Sequence, residues 1–234
     1  MEFSVSFRYQ SGEEHNKEPL LELKVATLHE LKFFRRAWTT RRQHNTPGLF
    51  FFSSTGQLVY HESHLERQVL LVEDFEQSAT CVIAQPFEIQ SEERRHVPDL
   101  LVVSEQNPKV IDVRHSKFAE TSKFQVAREA MYVALAQLGW KYEVRTEPEK
   151  QFFTNLDWLS GYRRIPPDFE FFAPLIIGSL EAGAKSFADL FRCIGNELFS
   201  QPVVFHLLWL RILEIDLYAP LTSETKIDLA RGLA

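Results

Sequence analysis

The sequence predicts an α/β fold in which a mixed-sheet core follows a β-rich N-terminal extension and precedes a small, mainly helical tail. Short apolar runs separated by polar turns alternate with stretches whose apolar residues recur at helical spacing. Beyond Pro148 the patterns are almost entirely helical, and the run from Ile165 to Pro167 breaks the chain. We therefore predict an extension over residues 1–60, a core over 61–165 and a tail over 166–234.

The N-terminal extension is predicted to form strands. Phe3 to Tyr9 alternate between apolar and polar residues, and Leu20 to Val25 form a second short strand-like stretch. Leu49 to Phe52 and Leu58 to Tyr60 flank a polar turn, which indicates a hairpin that leads into the core.

The core is predicted to begin with an amphipathic helix. Its apolar residues have the spacing of one buried helix face: Leu65, Val69, Val72 and Phe75. Ser63 is a predicted N-cap, and Glu66, three residues later, completes a capping box. By itself, a glutamate at that position is more often a cap than a metal ligand.

Two apolar runs joined by a polar turn, His96 to Val103 and Pro108 to Arg114, predict a β-hairpin. Pro98 has no N–H to give to a sheet, so it fits only near the beginning of its strand, where Asp99 then also lies. On the second strand, Asp112 is two residues from Arg114, so both are expected on one face of the sheet.

The remaining elements complete the predicted fold. Phe118 to Leu138 predicts a helix with Gly139 beyond its end, and Tyr142 to Val144 predicts the next strand. In the tail, Ser186 to Leu198 and Val203 to Leu213 predict helices before a short strand pair. We therefore expect a mixed sheet covered by a helix, followed by a winged-helix-like tail.

Glu66, Asp99 and Asp112 thus come in the order helix, strand, strand, which resembles the PD-(D/E)xK nuclease motif of restriction-endonuclease-like cores. Carboxylates are hard oxygen ligands suited to Mg²⁺ or Mn²⁺, and such a cation can activate water against a phosphodiester. We predict a metal site made by these three carboxylates and the Val113 carbonyl.

The motif departs from the usual pattern at its last position, where Arg114 replaces lysine. Arginine does not lose its proton at accessible pH, so it could orient a phosphate but could not be the general base. Lys117 and Lys123 are nearby alternatives for an amine. Four histidines also lie near the predicted site, although each is more often a surface or hydrogen-bonded residue than a base: His61, His64, His96 and His115.

Several segments together are similar to TnsA-like endonuclease subunits of heteromeric transposases, and they cover most of the chain. They are Glu62 to Arg67, Gln85 to Phe87, Val97 to Asp99, Asp112 to Arg114, Gly139 to Tyr142, Asn155 to Arg163, Val204 to Trp209, Asp216-Leu217 and Pro220-Leu221. The resemblance implies nicking of the 5′ ends of a transposon during cut-and-paste transposition. It also implies a TnsB-like DDE transposase and a TnsC-like AAA+ ATPase as partners.

The same resemblance implies that Glu66, Asp99 and Asp112 are the catalytic metal ligands and that Arg114 occupies the lysine position. Gln85 could also line the site. A free-standing restriction or defence nuclease with the same core is one alternative. The other is a non-catalytic assembly module with a degenerate nuclease fold, which the arginine makes plausible.

The charge composition indicates how such a protein would bind DNA. The net charge of −6 argues against coating DNA without help, because non-specific affinity comes from Lys and Arg on phosphates. One basic cluster with aromatic neighbours is the candidate DNA contact, and it consists of Lys32, Arg35, Arg36, Arg41 and Arg42. The alternative is that these residues form the solvated face of a helix. The acidic tail favours docking of a partner protein over DNA reading.

The sequence also bears on location. It contains no apolar run of membrane-spanning length, and Met1 to Gln10 lack the apolar core of a signal peptide. Cys81 and Cys193 are far apart and have no metal-ligand spacing. We expect a bacterial cytoplasmic protein without disulfides or zinc.

Overall fold

The structure is a computed structural model that describes residues 2–34, 46–92, 94–105 and 107–230. It divides into two compact units, the first ending at Glu147 and the second beginning at Pro148. The first unit is mixed α/β and the second is mainly helical, so the predicted α/β class is confirmed.

The first unit alternates strands with three α-helices. In chain order these elements are β1 (Ser4–Arg8), β2 (Glu14–Pro19), β3 (Gly48–Phe52), β4 (Gln57–His61), α1 (His64–Phe75), β5 (Ala79–Ala84), β6 (Phe87–Gln90), β7 (Arg95–His96), β8 (Leu100–Ser104), β9 (Lys109–Val113), α2 (Ser116–Ala119), α3 (Ser122–Gln137) and β10 (Lys141–Arg145).

Two four-stranded sheets organise this unit. The first has the order β2-β1-β6-β7 and is antiparallel throughout. The second has the order β10-β9-β8-β5, in which β10 runs parallel to β9 and the other pairs are antiparallel. The strands β3 and β4 form a separate hairpin, as predicted. Because β1 pairs with β6, the predicted N-terminal extension shares a sheet with the predicted core.

The predicted hairpin of the two carboxylate strands is confirmed, with Leu100 opposite Ile111 and Val102 opposite Lys109. However, the predicted single strand from His96 to Val103 is two strands that belong to different sheets. Strand β7 ends at His96 and β8 begins at Leu100, with Pro98 in the break between them. Proline cannot donate to a ladder, so the chain changes sheets there.

The predicted strand from Leu20 to Val25 is wrong. Two 3-10 segments, Leu20–Glu22 and Val25–Glu30, cover this part of the chain, and the strand next to β1 is the polar segment Glu14–Pro19. As an edge strand, β2 pairs through its backbone and leaves its polar side chains exposed. Within the 3-10 segments, Leu20 and Leu28 are buried, whereas Leu21 and Val25 are exposed.

One hydrophobic core joins both sheets to α3. It contains Phe7 of β1, Phe87 of β6 and Leu101 of β8 together with Leu135 of α3. The predicted helix from Phe118 to Leu138 is two helices, α2 and α3; α3 ends at Gln137, and Gly139 beyond its end has a φ of 68°, in the left-handed region that favours glycine. This core fixes the sheet that carries both predicted aspartates.

The second unit contains helices and a small sheet. Its elements are α4 (Lys150–Leu159), a 3-10 turn (Ser160–Tyr162), α5 (Phe169–Leu180), β11 (Lys185–Ser186), α6 (Phe187–Ile194), α7 (Glu197–Trp209), β12 (Leu213–Glu214) and β13 (Lys226–Leu229). The sheet is antiparallel in the order β11-β13-β12.

The two predicted tail helices correspond to α6 and α7, but their ends differ from the prediction. The chain leaves α6 at Gly195 and enters α7 at Asn196, and both residues have positive φ values, 70° and 49°. A helix cannot continue through two such residues. The next helix therefore begins at Glu197, earlier than the apolar spacing indicated. In the part of the chain that the structure describes, no helix has the length and apolar character needed to cross a membrane.

Candidate active site

The candidate site lies where β8 begins and β9 ends. Asp99 directly precedes β8, and its Oδ2 accepts a hydrogen bond of 2.7 Å from the backbone N–H of Val113. The antiparallel register that sets Leu100 opposite Ile111 brings the beginning of one strand to the end of the other. The hairpin therefore places Asp99 beside the segment that carries Asp112.

Asp112 is buried, with an exposed fraction of 1%, and two side chains satisfy its carboxylate. The Nε2 atom of His96 lies 2.9 and 2.8 Å from the two carboxylate oxygens. The Tyr142 hydroxyl donates to Oδ2 over 2.5 Å. A buried carboxylate needs such donors, because an unpaired charge in the protein interior is strongly destabilising.

Two of these contacts follow from the sheet. In the parallel pair, Val144 of β10 lies opposite Asp112, so Tyr142, two residues earlier, lies on the same face. His96 reaches Asp112 from β7, in the other sheet. The sequence predicts no site role for Tyr142, and it indicates that His96 is more often a surface or hydrogen-bonded residue than a base. Only the strand pairing reveals the partnership, although Tyr142 and Asp112 each lie on a predicted strand.

Glu66 forms the predicted capping box at the beginning of α1. Its carboxylate accepts from the Glu62 backbone N–H at 2.7 Å and from the Ser63 hydroxyl at 2.9 Å, and its own N–H donates to Ser63 Oγ at 3.1 Å. The cap interpretation is therefore confirmed. Burial raises the pKa of Glu66, against the effect of its two donors. A carboxylate has about four lone-pair sites, so the cap leaves further acceptor capacity.

The charges of the predicted catalytic residues act on one another. Burial raises the pKa of Asp99 to about 7, and the negative charges of Asp112 and Glu66 add to the effect. The Val113 N–H and the Arg114 guanidinium oppose it. Like charges that cannot separate disfavour ionisation, and a nearby cation favours it. The structure therefore brings Glu66, Asp99, Asp112 and Arg114 into one electrostatic cluster.

His96 and Tyr142 are also perturbed by this cluster. Burial lowers the pKa of His96, but the hydrogen bond and charge of Asp112 outweigh burial, and the net shift is upward. Burial and the adjacent Asp112 charge both raise the pKa of Tyr142. Tyr142 is therefore a fixed neutral donor to Asp112, and the contact with Asp112 favours the protonated form of His96.

Arg114 lies just beyond the end of β9. Its backbone N–H donates to the Arg145 carbonyl at 2.9 Å, and its side chain is exposed. The guanidinium carbon lies 5.0 Å from the centre of the Phe124 ring, within the range of a cation–π contact. Arg114 can thus present N–H groups to solvent beside the carboxylates.

A charged network joins α1 to the sheet. Lys109 of β9 lies with Nζ 2.6 Å from Glu73 and 3.1 Å from Glu76, both near the C-terminal end of α1. Arg145 of β10 lies 3.4 Å from the second oxygen of Glu73 and 2.8 Å from Glu143. The Glu73 side chain has no exposed area. This network fixes the helix of Glu66 relative to the strand of Asp112.

The donor chemistry of the cluster suits a hard divalent cation, since close carboxylate oxygens repel one another until a cation neutralises them. Among the residues that the structure describes, however, no three His, Cys, Asp or Glu side chains are arranged so that they could hold a metal ion. Asp99 and Asp112 supply two carboxylates, and Glu66 is held in its cap. The carboxylate of the predicted third ligand, Glu66, is bonded within the cap of α1 instead of lying with the other two carboxylates around one point.

The other predicted site residues lie elsewhere or outside the described ranges. Among the predicted DNA contacts, Lys32 has an exposed side chain. Four of them lie outside the described residues: Arg35, Arg36, Arg41 and Arg42. Gln85 is 3% exposed with a φ of 44°, and its backbone N–H donates to the Asp99 carbonyl at 2.8 Å.

The remaining histidines and the nearby lysine make contacts outside the cluster. His61 lies near the Ser63 carbonyl, 3.1 Å away, and His115 lies 2.7 Å from Glu147. The Lys117 ammonium lies over the Phe118 ring. Of the four histidines weighed from the sequence, His96 is the one that the structure joins to the carboxylates.

A scan against protein-family models and a search of curated proteins each found no match. The resemblance to TnsA-like subunits therefore stays a prediction.

Proposed function

We propose that this chain is a metal-dependent DNA endonuclease with a restriction-endonuclease-like core. The observation that carries the proposal is the pair of Asp99 and Asp112 at the beginning of β8 and the end of β9, with the charges of Glu66 and Arg114 acting on Asp99. A helix followed by two antiparallel strands supplies these residues in the order of the nuclease motif.

Each residue has a role in this proposal. Asp99 and Asp112 would hold Mg²⁺ or Mn²⁺, with Glu66 and the Val113 carbonyl as further ligands. When bound, the cation supplies a lowered pKa for the attacking water and charge stabilisation at the scissile phosphate. His96 and Tyr142 orient the Asp112 carboxylate by donating to it.

Arg114 would orient the phosphate rather than take a proton. Its guanidinium forms two parallel N–H bonds to oxyanions, which fixes the direction of a phosphate. His96 is engaged with Asp112, so it too is a poor general base in this arrangement. The proposal therefore assigns no separate protein base, because the cation that the carboxylates would hold would lower the pKa of the attacking water.

We propose that the substrate is the 5′ end of a transposon and that a TnsB-like DDE transposase and a TnsC-like ATPase are partners. The sequence segments similar to TnsA-like subunits support this more specific assignment. The free-standing nuclease and the non-catalytic assembly module are the alternatives that an experiment must separate.

The second unit is proposed to be winged-helix-like and to dock a partner protein. From α5 onward, its order of helix, strand, two helices and two strands, with the last strand in the middle of the sheet, supports a winged-helix arrangement. Helix α7 would correspond to the helix that reads DNA in such domains. It contains no Lys or Arg, and its first turn exposes Leu198 and Phe199 next to Glu197. An acidic and apolar surface suits a protein partner better than phosphates.

The test is cleavage of supercoiled and transposon-end DNA with Mg²⁺ or Mn²⁺, with and without the partner transposase. We expect wild-type cutting and its loss in Asp99→Asn and in Asp112→Asn, which retain an oxygen that can accept the local hydrogen bonds. Glu105→Gln is the matched control, because Glu105 is exposed at the opposite end of the same hairpin. Its cutting should equal that of the wild type.

The outcomes separate the alternatives. Partner-dependent cutting supports the transposase subunit, and efficient cutting by the chain alone supports a free-standing nuclease. Absence of cutting under all conditions, together with no Mn²⁺ binding by calorimetry, would favour the assembly module.

A further inference from the structure

A cavity of about 690 Å³ lies in the first unit beside the carboxylate cluster. Its inner wall is apolar and comes from the residue before β1, from β6 and from α3. The residues of this wall are Phe3, Ile89, Phe124, Ala127, Ala130 and Met131. Its rim is basic and includes Arg94, Arg95, His96 and Arg114. Binding cavities for small organic groups commonly measure about 300–1,000 Å³, so this one is large enough for a ligand.

The lining has a definite chemical character. Three arginines and a histidine contribute to it, and the described lining contains no aspartate or glutamate. Guanidinium groups bind phosphate oxygens through paired N–H bonds. The apolar wall and the Phe118 ring near the rim provide flat surfaces for a planar heterocycle. A phosphate joined to a heterocycle is a nucleotide.

The cavity and the candidate site share two residues. His96 lines the cavity and lies 2.8 Å from an oxygen of Asp112. Arg114 lines it too, and its charge acts on Asp99 and Glu66. A phosphate held at the rim would therefore lie next to the carboxylates, with its base directed toward the apolar wall.

We infer that this cavity binds one unpaired nucleotide of a DNA strand, adjacent to the phosphodiester that is cut. The inference rests on the proposed nuclease function for the source of the nucleotide. A paired base inside a duplex cannot enter a cavity of this kind, so the nucleotide must leave the helix. Unpairing costs least at a mismatch or a frayed end. The protein should therefore prefer DNA that is unpaired at the cleavage point.

The experiment uses duplexes that contain 2-aminopurine, either mismatched or fully paired, with the full-length protein in EDTA so that no cutting occurs. We expect the fluorescence of the mismatched probe to rise on binding, because the base leaves its stacked neighbours. We also expect about tenfold tighter binding of the mismatched duplex, equivalent to about 1.4 kcal/mol, since its unpaired base can stack on aromatic side chains.

Ala127→Phe fills the cavity from α3 and should remove both effects. Ala136→Phe is the matched control, since Ala136 is exposed on the same helix and does not line the cavity. If Ala127→Phe does not fold, Arg95→Glu at the exposed rim provides the second test and should weaken the mismatched probe selectively.

The results distinguish this inference from the proposed function. Metal-dependent cutting together with equal binding of the two probes would overturn the cavity inference and leave the nuclease intact. A fluorescence rise abolished by Ala127→Phe, without cutting in Mg²⁺ or Mn²⁺, would support the cavity and count against the nuclease. Displacement of the probe by dAMP as effectively as by an unlabelled oligonucleotide would identify a free nucleotide as the ligand and overturn the strand assignment.

Discussion

Substitution of Lys109 by methionine tests how the carboxylate cluster is supported. Lys109 lies 2.6 Å from Glu73, whose side chain has no exposed area, and is itself 13% exposed. Removing one member of a buried ion pair costs about 3–5 kcal/mol, because the other charge stays buried without its partner. Arg145 remains 3.4 Å from the second Glu73 oxygen. We therefore expect Lys109→Met to lower the free energy of unfolding by about 3 kcal/mol, the lower end of that range.

The effect should depend on pH in a defined direction. Burial and the charge of Glu76 already raise the pKa of Glu73 above its usual 4.5, while Lys109 opposes them. Without Lys109, the folded-state pKa rises further, so the folded protein binds this proton more tightly than the unfolded chain. Stability of the variant is then lost as the pH rises from 4.5 through the folded-state pKa. The difference between variant and wild type should be largest near pH 7.5 and should shrink toward pH 5.

Equilibrium urea denaturation of the full-length chain at the two pH values measures the difference, and hydrogen exchange of α1 and β9 peptides assigns it to the first unit. Lys109→Met with Glu73→Gln should recover most of the loss, since no buried charge is then unpaired. Lys141→Met is the control, because Lys141 is 67% exposed and should change stability by less than about 0.5 kcal/mol. A loss below about 1 kcal/mol, or one that grows toward pH 5, would refute the reasoning.

Two further predictions concern side chains that position the carboxylates. Tyr142→Phe removes one donor to the buried Asp112 and should lower the free energy of unfolding by about 1–3 kcal/mol, measured by urea denaturation, because the carboxylate loses a partner. The same variant should cut DNA more slowly than wild type. Unchanged stability would show that Asp112 does not need this donor. Ser63→Ala removes the cap that Glu66 shares and should lower the free energy of unfolding by about 1 kcal/mol in thermal or urea unfolding. Ser122→Ala, at an exposed helix position, should lower it less. Equal losses of stability in the two variants would contradict the capping argument.

Local sequence patterns were sufficient to predict the elements whose characteristic residues lie within a short stretch of the chain. The capping box of Ser63 and Glu66 has a fixed spacing of three residues, and the hairpin of β8 and β9 has two apolar runs with a turn between them. Both appear in the structure as predicted. The predicted strand from Leu20 to Val25 was wrong because a 3-10 turn buries Leu20 and Leu23 and exposes Leu21, so its apolar residues resemble those of a short strand. The polar strand β2 carried no hydrophobic signal at all.

Contacts between side chains on different strands could not be predicted from the sequence. His96 and Tyr142 lie 16 and 30 residues from Asp112, and both contacts depend on which strands become neighbours. The pairing of β10 with β9 and the change of sheet at Pro98 are settled by burial of the shared core. The same long-range packing assembled Lys109, Glu73 and Arg145 into one network.

The sequence by itself determined the mixed α/β class, the hairpin of the two aspartates, the capped helix and the residue types available for chemistry, because each depends on spacing along the chain. The tertiary structure decided that Asp112 is buried and held by His96 and Tyr142, that burial, together with the neighbouring carboxylates, raises the pKa of Asp99 to about 7, and that a basic-rimmed cavity adjoins them. Burial and electrostatic interaction are properties of distance in space. They emerge only when strands distant in sequence pack around one core.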